Sequence, residues 1–369
     1  MIIKLNESEL KKCQKLLDVK ESNISAAEIY IDYLNNHYND IKKSDIELLS
    51  KKYPLNQSFY KAFLKKLSIS ENDPEYVLIN KDCQIEKMEK LSQEEYLNDA
   101  FYKTIKDINI KENDWQFLTL KYLPYEGFVY DELIIDKTYY AEHTPIGFFD
   151  KEFPYLALLQ GERIWMSVIP HEINTMKKAI NKAHGHVLVL GLGLGYYLFN
   201  IVSKKDVISI DVVEKDKTII DLFNKYLLNK FPYYEKINII HDDGVEYLKK
   251  RRQYDYCFVD IYHNVGDGEM LYLKVKDKEI IQKDTTFSYW IEESILAMIR
   301  RQTLTVFEEC LDGYSDEDYK KAQNENDKII NAIYFLTKDY VVDSFTSLHK
   351  LLSDDSLKGI AQNIIKEMN

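Results

Sequence analysis

Four stations along this chain carry residue types that could do chemistry together. The first is Gly191-Leu192-Gly193-Leu194-Gly195, directly after the apolar run Val187-Leu188-Val189-Leu190. Alternating glycines between a strand and a helix permit a tight turn and let backbone approach a nucleotide closely. A glycine loop of this kind can also simply join a strand to a helix. The second station is Glu214, 19 residues after Gly195 and at the end of the next apolar run. An acid there can hold both hydroxyls of an adenosine ribose. Asp211, inside the same run, is the weaker candidate for that task.

The third station is His241-Asp242-Asp243-Gly244, where a carboxylate suits an adenine amino group; Asp243 fits first, with Asp242 as neighbour or substitute. The fourth is Asp260, which closes Tyr254-Asp255-Tyr256-Cys257-Phe258-Val259 and precedes Ile261-Tyr262-His263-Asn264. Asp260 or His263 could take a proton from a nucleophile, histidine because its pKa lies near neutrality. Tyr262 is a candidate for the wall of a substrate pocket. Gly266-Asp267-Gly268 reads as a lid or an ordinary turn.

The loop lacks the lysine and Ser/Thr of a Walker sequence, which argues against ATP hydrolysis. Tyr196 and Tyr197 stand where a dinucleotide loop needs its third glycine. With an acid at Asp243, these residues favour S-adenosylmethionine over NAD as cofactor. No metal site is expected. The four cysteines are scattered without a CxxC pair, and His184 and His186 lack a third ligand.

The elements that must position these stations follow from apolar patterning. Strands are expected over 187–190, 207–213, 237–240 and 256–259. Helices are expected over 172–182, after Gly195, over 217–228 and over 245–250. Such alternation predicts an α/β fold: a Rossmann-like, doubly wound, mostly parallel sheet with every strand's C-terminal end on one edge. Residues 1–115 contain no glycine and read as a helical N-terminal domain, broken at Asn72-Asp73-Pro74. Residues 116–170 read as a small antiparallel β region with a turn at Gln160-Gly161-Glu162. Residues 171–369 form the nucleotide-binding domain with helical C-terminal additions. There, 289–301 reads as a helix, 303–307 as a further strand, and 316–336 and 344–366 as mainly helical.

Bulk properties set bounds. The chain has 369 residues, 45% hydrophobic and 30% charged, enough apolar material for a real core. Its net charge of −12 argues against a nucleic-acid partner. Lys249-Lys250-Arg251-Arg252 is the densest basic cluster and reads as a solvated helix end. No apolar run approaches a membrane span, and the N-terminus turns polar at once, so a cytoplasmic location is expected. The partner expected is a small-molecule acceptor; a homo-oligomer stays open.

The segments "VLVLGLGLGYY", "ISIDVVEKDKTII", "INIIHDDGVEYL" and "YDYCFVDIYHN" resemble the class I S-adenosylmethionine-dependent methyltransferases, in their spermidine synthase-like branch. The preceding "ERIWMSVIPHEINTM" looks like the N-terminal hairpin of that branch, and the likeness covers about a third of the chain. It implies that Gly191, Gly193 and Gly195 line the methionine and ribose portion. Glu214 would bind the ribose and Asp243 the adenine, with Asp260 beside the reacting centre. It also places Glu172 near the cofactor edge. Aminopropyltransferases of the branch follow the fourth-strand acid with a Ser-Ser-Asp type sequence, whose second acid helps bind a polycationic amine. Here Ile261-Tyr262-His263-Asn264 stands instead. The Asn/Asp-Pro-Pro-aromatic sequence of base methylation is absent too. The expected activity is therefore methyl transfer from S-adenosylmethionine to a small acceptor. The alternatives are aminopropyl transfer from decarboxylated S-adenosylmethionine and a non-catalytic nucleotide-binding scaffold.

Overall fold

A computed structural model describes residues 1–368. Five strands form the central sheet: β1 (Gly185–Leu190), β2 (Val207–Glu214), β3 (Ile237–His241), β4 (Tyr256–Val259) and β5 (Thr286–Tyr289). Their order is β3-β2-β1-β4-β5, and every pairing is parallel. This is the Rossmann-like α/β architecture. The chain moves outward from β1 on one side and then on the other. That reversal opens a crevice beyond the C-terminal ends of β1, β2 and β4.

β1 is central because it can be. Val187 to Leu190 carry no polar group and are almost wholly buried, which suits a strand covered on both faces. Helices alternate with the strands: α1 (Pro170–Lys182), α2 (Tyr196–Val202), α3 (Lys217–Tyr226), α4 (Gly244–Tyr247), α5 (Val265–Glu279) and α6 (Glu292–Leu311). Their starts are written locally. Pro170 opens α1, where its missing N–H costs nothing. The Asp216 and Asp243 side chains accept backbone N–H groups at the starts of α3 and α4.

A second, antiparallel sheet runs Arg163–Ser167, Phe153–Gln160, Trp115–Tyr122, Ile110–Glu112. Gly161, at φ 61°, makes the turn expected at 160–162. A bulge between Ile164 and Met166 bends the strand that leads into α1.

Two local expectations fail, and one strand has no counterpart among them. Residues 303–307 lie inside α6. Their β-branched, apolar character reads as strand, but Thr303 turns its hydroxyl back onto the Ile299 carbonyl, 2.8 Å away, and Leu304, Val306 and Phe307 are buried. Strand β5 was not anticipated, because Thr-Phe-Ser-Tyr at a sheet edge has no buried run to mark it. Residues 1–115 are not all helical. Beside helices such as Glu7–Asp32, Leu55–Lys66 and Pro74–Cys83 they contain the strands Ile2–Ile3 and Met88–Lys90. Those two pair with Val341–Val342 and Ile146–Phe148, partners far along the chain. Among the described residues no helix is long and apolar enough to cross a membrane.

Candidate active site

A cavity of about 810 Å³ lies where the C-terminal edge of the parallel sheet meets the 163–167 strand and α1. Strand register sets its floor. Leu190 is level with both Val213 and Val259, so Gly191, Glu214 and Asp260 emerge side by side. Backbone bonds fix the edge: Gly191 N–H to the Val213 carbonyl at 2.9 Å, and Asp260 N–H to the Leu190 carbonyl at 2.8 Å.

All three loop glycines line the cavity, each with positive φ. Gly195 is required by packing, since a Cβ there would lie 2.6 Å from the Phe223 ring and 2.7 Å from Phe231. At Gly193 the nearest atom to a Cβ would be Met166 Sδ, 3.7 Å away, an ordinary contact, so space alone does not exclude a side chain there.

Glu214 is held by backbone. Its Oε2 accepts from Leu192 N–H at 3.0 Å and its Oε1 from Asp216 N–H at 2.8 Å. Each oxygen keeps a free lone pair, so the carboxylate is pre-aimed yet still able to accept from a diol. Asp211 is committed elsewhere, to Asn238 at 2.9 Å and the Tyr254 hydroxyl at 2.6 Å.

Asp243 lines the cavity, caps α4 through Val245 and Glu246, and pairs with Lys215 at 3.2 Å. Burial works against its charge, but the Glu246 N–H and Lys215 outweigh it and hold the carboxyl below the usual range. Asp242 is absent from the cavity wall; its carboxylate accepts the Asp243 N–H at 2.8 Å instead. The chain turns into α4 between the two, so only one acid faces inward.

Asp260 and Glu172 reach the cavity from different elements, the end of β4 and α1. Both line the cavity, and neither side chain has a hydrogen-bond or ion-pair partner among the described residues. Burial pushes Asp260 up to about 7, with the Glu214 charge adding to it. Burial and then the Asp260 charge push Glu172 well above the carboxylate range. Part of each surface still opens onto the cavity, which a ligand could close. Tyr262 also lines the wall, but its hydroxyl donates to the Trp290 carbonyl at 2.5 Å.

His263 stands nearer the mouth. Its Nδ1 is 3.0 Å from Asp267 Oδ2, and its ring meets the Trp165 ring edge-on at 5.4 Å. Gly266-Asp267-Gly268 is the first turn of α5, not a loop over the site, because Asn264 and Asp267 cap that helix reciprocally.

Charge is uneven. Among the described residues lining the cavity, Lys215 and Lys217 are the only lysines or arginines, both beside Glu214. Lys215 pairs with Asp243 and Lys217 with Asp221. Nothing cationic faces Glu172 and Asp260. The basic cluster at 249–252 lies outside the cavity, with Lys249 paired to Glu246 and Arg251 to Asp284.

Comparison with known proteins narrows the reading. Residues 168–287 match the spermine/spermidine synthase domain family. The chain is 29% identical over 155 residues to the polyamine aminopropyltransferase of Clostridium botulinum, covering 38% of this chain and 53% of that protein. It is 33% identical over 100 residues to the enzyme of the same name from Methanocaldococcus jannaschii, covering 26% and 34%. The chain thus spans about half the length, or less, of these curated relatives. Among solved structures, spermidine synthase from Thermotoga maritima matches at 19% identity and a TM-score of 0.29, over 40% of this chain and 55% of that one. The family match and the curated relatives keep the likeness to the spermidine synthase branch. The expectation of methyl transfer does not: the matched domain and the curated relatives are of the aminopropyltransferase kind. No Ser-Ser-Asp type sequence follows Asp260, but a second carboxylate, Glu172, lines the cavity from α1.

Proposed function

We propose that this chain transfers an aminopropyl group from decarboxylated S-adenosylmethionine to an amine acceptor. The observation that carries the reading is the unpaired Glu172–Asp260 pair. Two carboxyls that line one largely desolvated cavity without a cation are unfavourable when ionised. A protonated amine between them would remove that cost and gain charge-assisted hydrogen bonds. A donor with an intact carboxylate would meet repulsion here, with no lysine or arginine to answer it. The decarboxylated donor and a di- or polyamine acceptor are both cationic and fit the same wall.

Glu214 would hold the ribose hydroxyls, Asp243 the adenine amino group, and Gly191, Gly193 and Gly195 the backbone approach to the nucleoside. When bound, the donor supplies a carbon activated by its neighbouring sulfonium. The chain's own part is to align amine and carbon, exclude water with Trp165, Met176 and Trp290, and hold the acceptor's charge. Tyr262 would serve as wall, its hydroxyl already spent on Trp290.

The test is parallel calorimetry and turnover with decarboxylated and intact S-adenosylmethionine and a series of diamines. Preference for the decarboxylated donor, with methylthioadenosine released only when an amine is present, is the expected result. Binding that favours the intact donor, or no turnover with any amine, overturns it.

A further inference from the structure

We propose that His263 and Asp267 form a proton-accepting dyad at the mouth of the cavity, with His263 as the base and Asp267 as its positioning residue. The inference rests on the proposed function and deepens it. An amine attacks carbon only through a free lone pair, so a protonated acceptor must first lose a proton.

The geometry is that of a base held in one tautomer. Asp267 Oδ2 lies 3.0 Å from His263 Nδ1, while the two Asp267 oxygens accept the His263 backbone N–H at 3.1 Å each. Asp267 also accepts from Asn264 N–H at 2.9 Å. The carboxylate is thus anchored to backbone on the same short turn and dictates which ring nitrogen carries hydrogen. Nδ1 becomes the N–H, and Nε2 is left with its lone pair free. The Trp165 ring, brought in on the bulged strand, packs edge-on to the imidazole and limits its rotation.

The other charged groups around this ring are few. Asp260 at the end of β4 and Glu172 on α1 line the same cavity. Arg163 lies 5.5 Å from the Trp165 ring centre, on the face of the hairpin. The division of labour follows from position. Glu172 and Asp260, deep and short of partners, attract the cationic amine. His263, in contact with solvent, can pass the proton out. The full step is a proton from the acceptor ammonium to Nε2, a bond from the freed nitrogen to the donor carbon, and cleavage of the carbon–sulfur bond with its electron pair going to sulfur.

Two readouts test the dyad. In protein labelled with 15N-histidine, with His263 assigned by loss of its signals in H263N, the wild type should show the Nδ1–H tautomer. D267N should shift the ring toward Nε2–H, because an amide can donate to Nδ1 where the carboxylate could only accept. In turnover with decarboxylated S-adenosylmethionine and putrescine, D267N should lower kcat at least 10-fold with KM for both substrates within 2-fold. H263N should match it, and D267E should restore part of the loss by returning a carboxylate to Nδ1. An unchanged kcat in either D267N or H263N overturns the dyad, as does an Nε2–H ring in the wild type. A parallel rise in KM and fall in melting temperature in D267N would assign Asp267 to helix capping alone and overturn its positioning role. Wild-type protein with the expected tautomer but no turnover with any amine overturns the proposed function instead.

Discussion

The carbonyl oxygen of Asp260 occupies the space that a side chain on Gly191 would need: a Cβ at Gly191 would lie 1.8 Å from it. The contact joins the end of β1 to the end of β4, so the residue that opens the loop also fixes the height of the buried acid. Gly191, at φ 95°, meets both a backbone wall and an unfavourable conformation. Gly191→Ala should therefore cost about 3 kcal/mol or more and lower the melting temperature sharply. Gly193→Ala, with only the φ penalty of about 1–2 kcal/mol, should stay folded. Its methyl would stand in the cavity beside Met166, so nucleoside affinity should fall. Differential scanning calorimetry and a nucleoside titration separate the two. Equal melting temperatures would show that the 191–260 contact relaxes freely.

Glu214 offers a cleaner test of the nucleoside site. Glu214→Gln keeps an oxygen for one of the two N–H groups it now satisfies, whereas Glu214→Ala strands both Leu192 and Asp216. A hydrogen bond to a charged group contributes about 1.5–3 kcal/mol. Glu214→Gln should thus lose about 10- to 100-fold in affinity for methylthioadenosine by calorimetry, with a smaller fall in melting temperature than Glu214→Ala. Glu214→Ala should lose at least as much and also melt earlier. Normal binding by Glu214→Gln would remove Glu214 from the ribose site.

The deep carboxyls predict a stability profile. Burial raises Asp260 to about 7 and Glu132 to about 7, so the folded state holds protons that the unfolded chain has released. Stability from such groups is present in full below about pH 4 and is lost as pH rises through about 7. His171, which burial lowers to about 4, acts the other way between about pH 4 and 6.5. The contribution of Asp260 is isolated by difference. Asp260→Asn should gain on the wild type as pH goes from 5.5 to 8, by about 2–4 °C in melting temperature for each kcal/mol of relief. Putrescine should stabilise the wild type more at pH 8 than at pH 6 and should lose that pH dependence in Asp260→Asn. A diamine effect that is flat with pH in the wild type would separate the carboxyl from the amine.

How much of this was legible in the sequence depended on what each residue needed from afar. Strands β1 to β4 could be read because each is a mainly apolar run followed by a polar or glycine turn. The sheet edge β5 could not, since Thr286 to Tyr289 carries neither mark. Glu214 was separable from Asp211 because it ends its strand. Asp242 and Asp243 are adjacent and chemically alike, and only the direction of the turn into α4 tells them apart. Glu172 lies 88 positions before Asp260. The resemblance places it at the cofactor edge, but only the packing of α1 shows that it shares a cavity with Asp260.

Phe101 shows the same dependence on distant packing and yields a stability test. It belongs to a helix in the glycine-free N-terminal stretch, Ala100–Ile105, and is fully buried. Its ring sits edge-on to Tyr196 at 5.5 Å, Phe199 at 5.3 Å and Phe231 at 6.0 Å. Tyr196 and Phe199 belong to α2, which follows directly from the glycine loop, and the Tyr196 hydroxyl also reaches Asp99 at 3.2 Å. The helix behind the glycine loop is thus packed by residues some 95 positions upstream. Phe101→Ala should cost about 3–5 kcal/mol, and because the void opens beneath α2, hydrogen exchange should rise first at 196–202. Nucleoside binding should protect those amides again. Exchange that rises instead around residues 93–105 alone, with α2 unchanged, would mean that the N-terminal stretch merely rests on the nucleotide fold without bracing its loop.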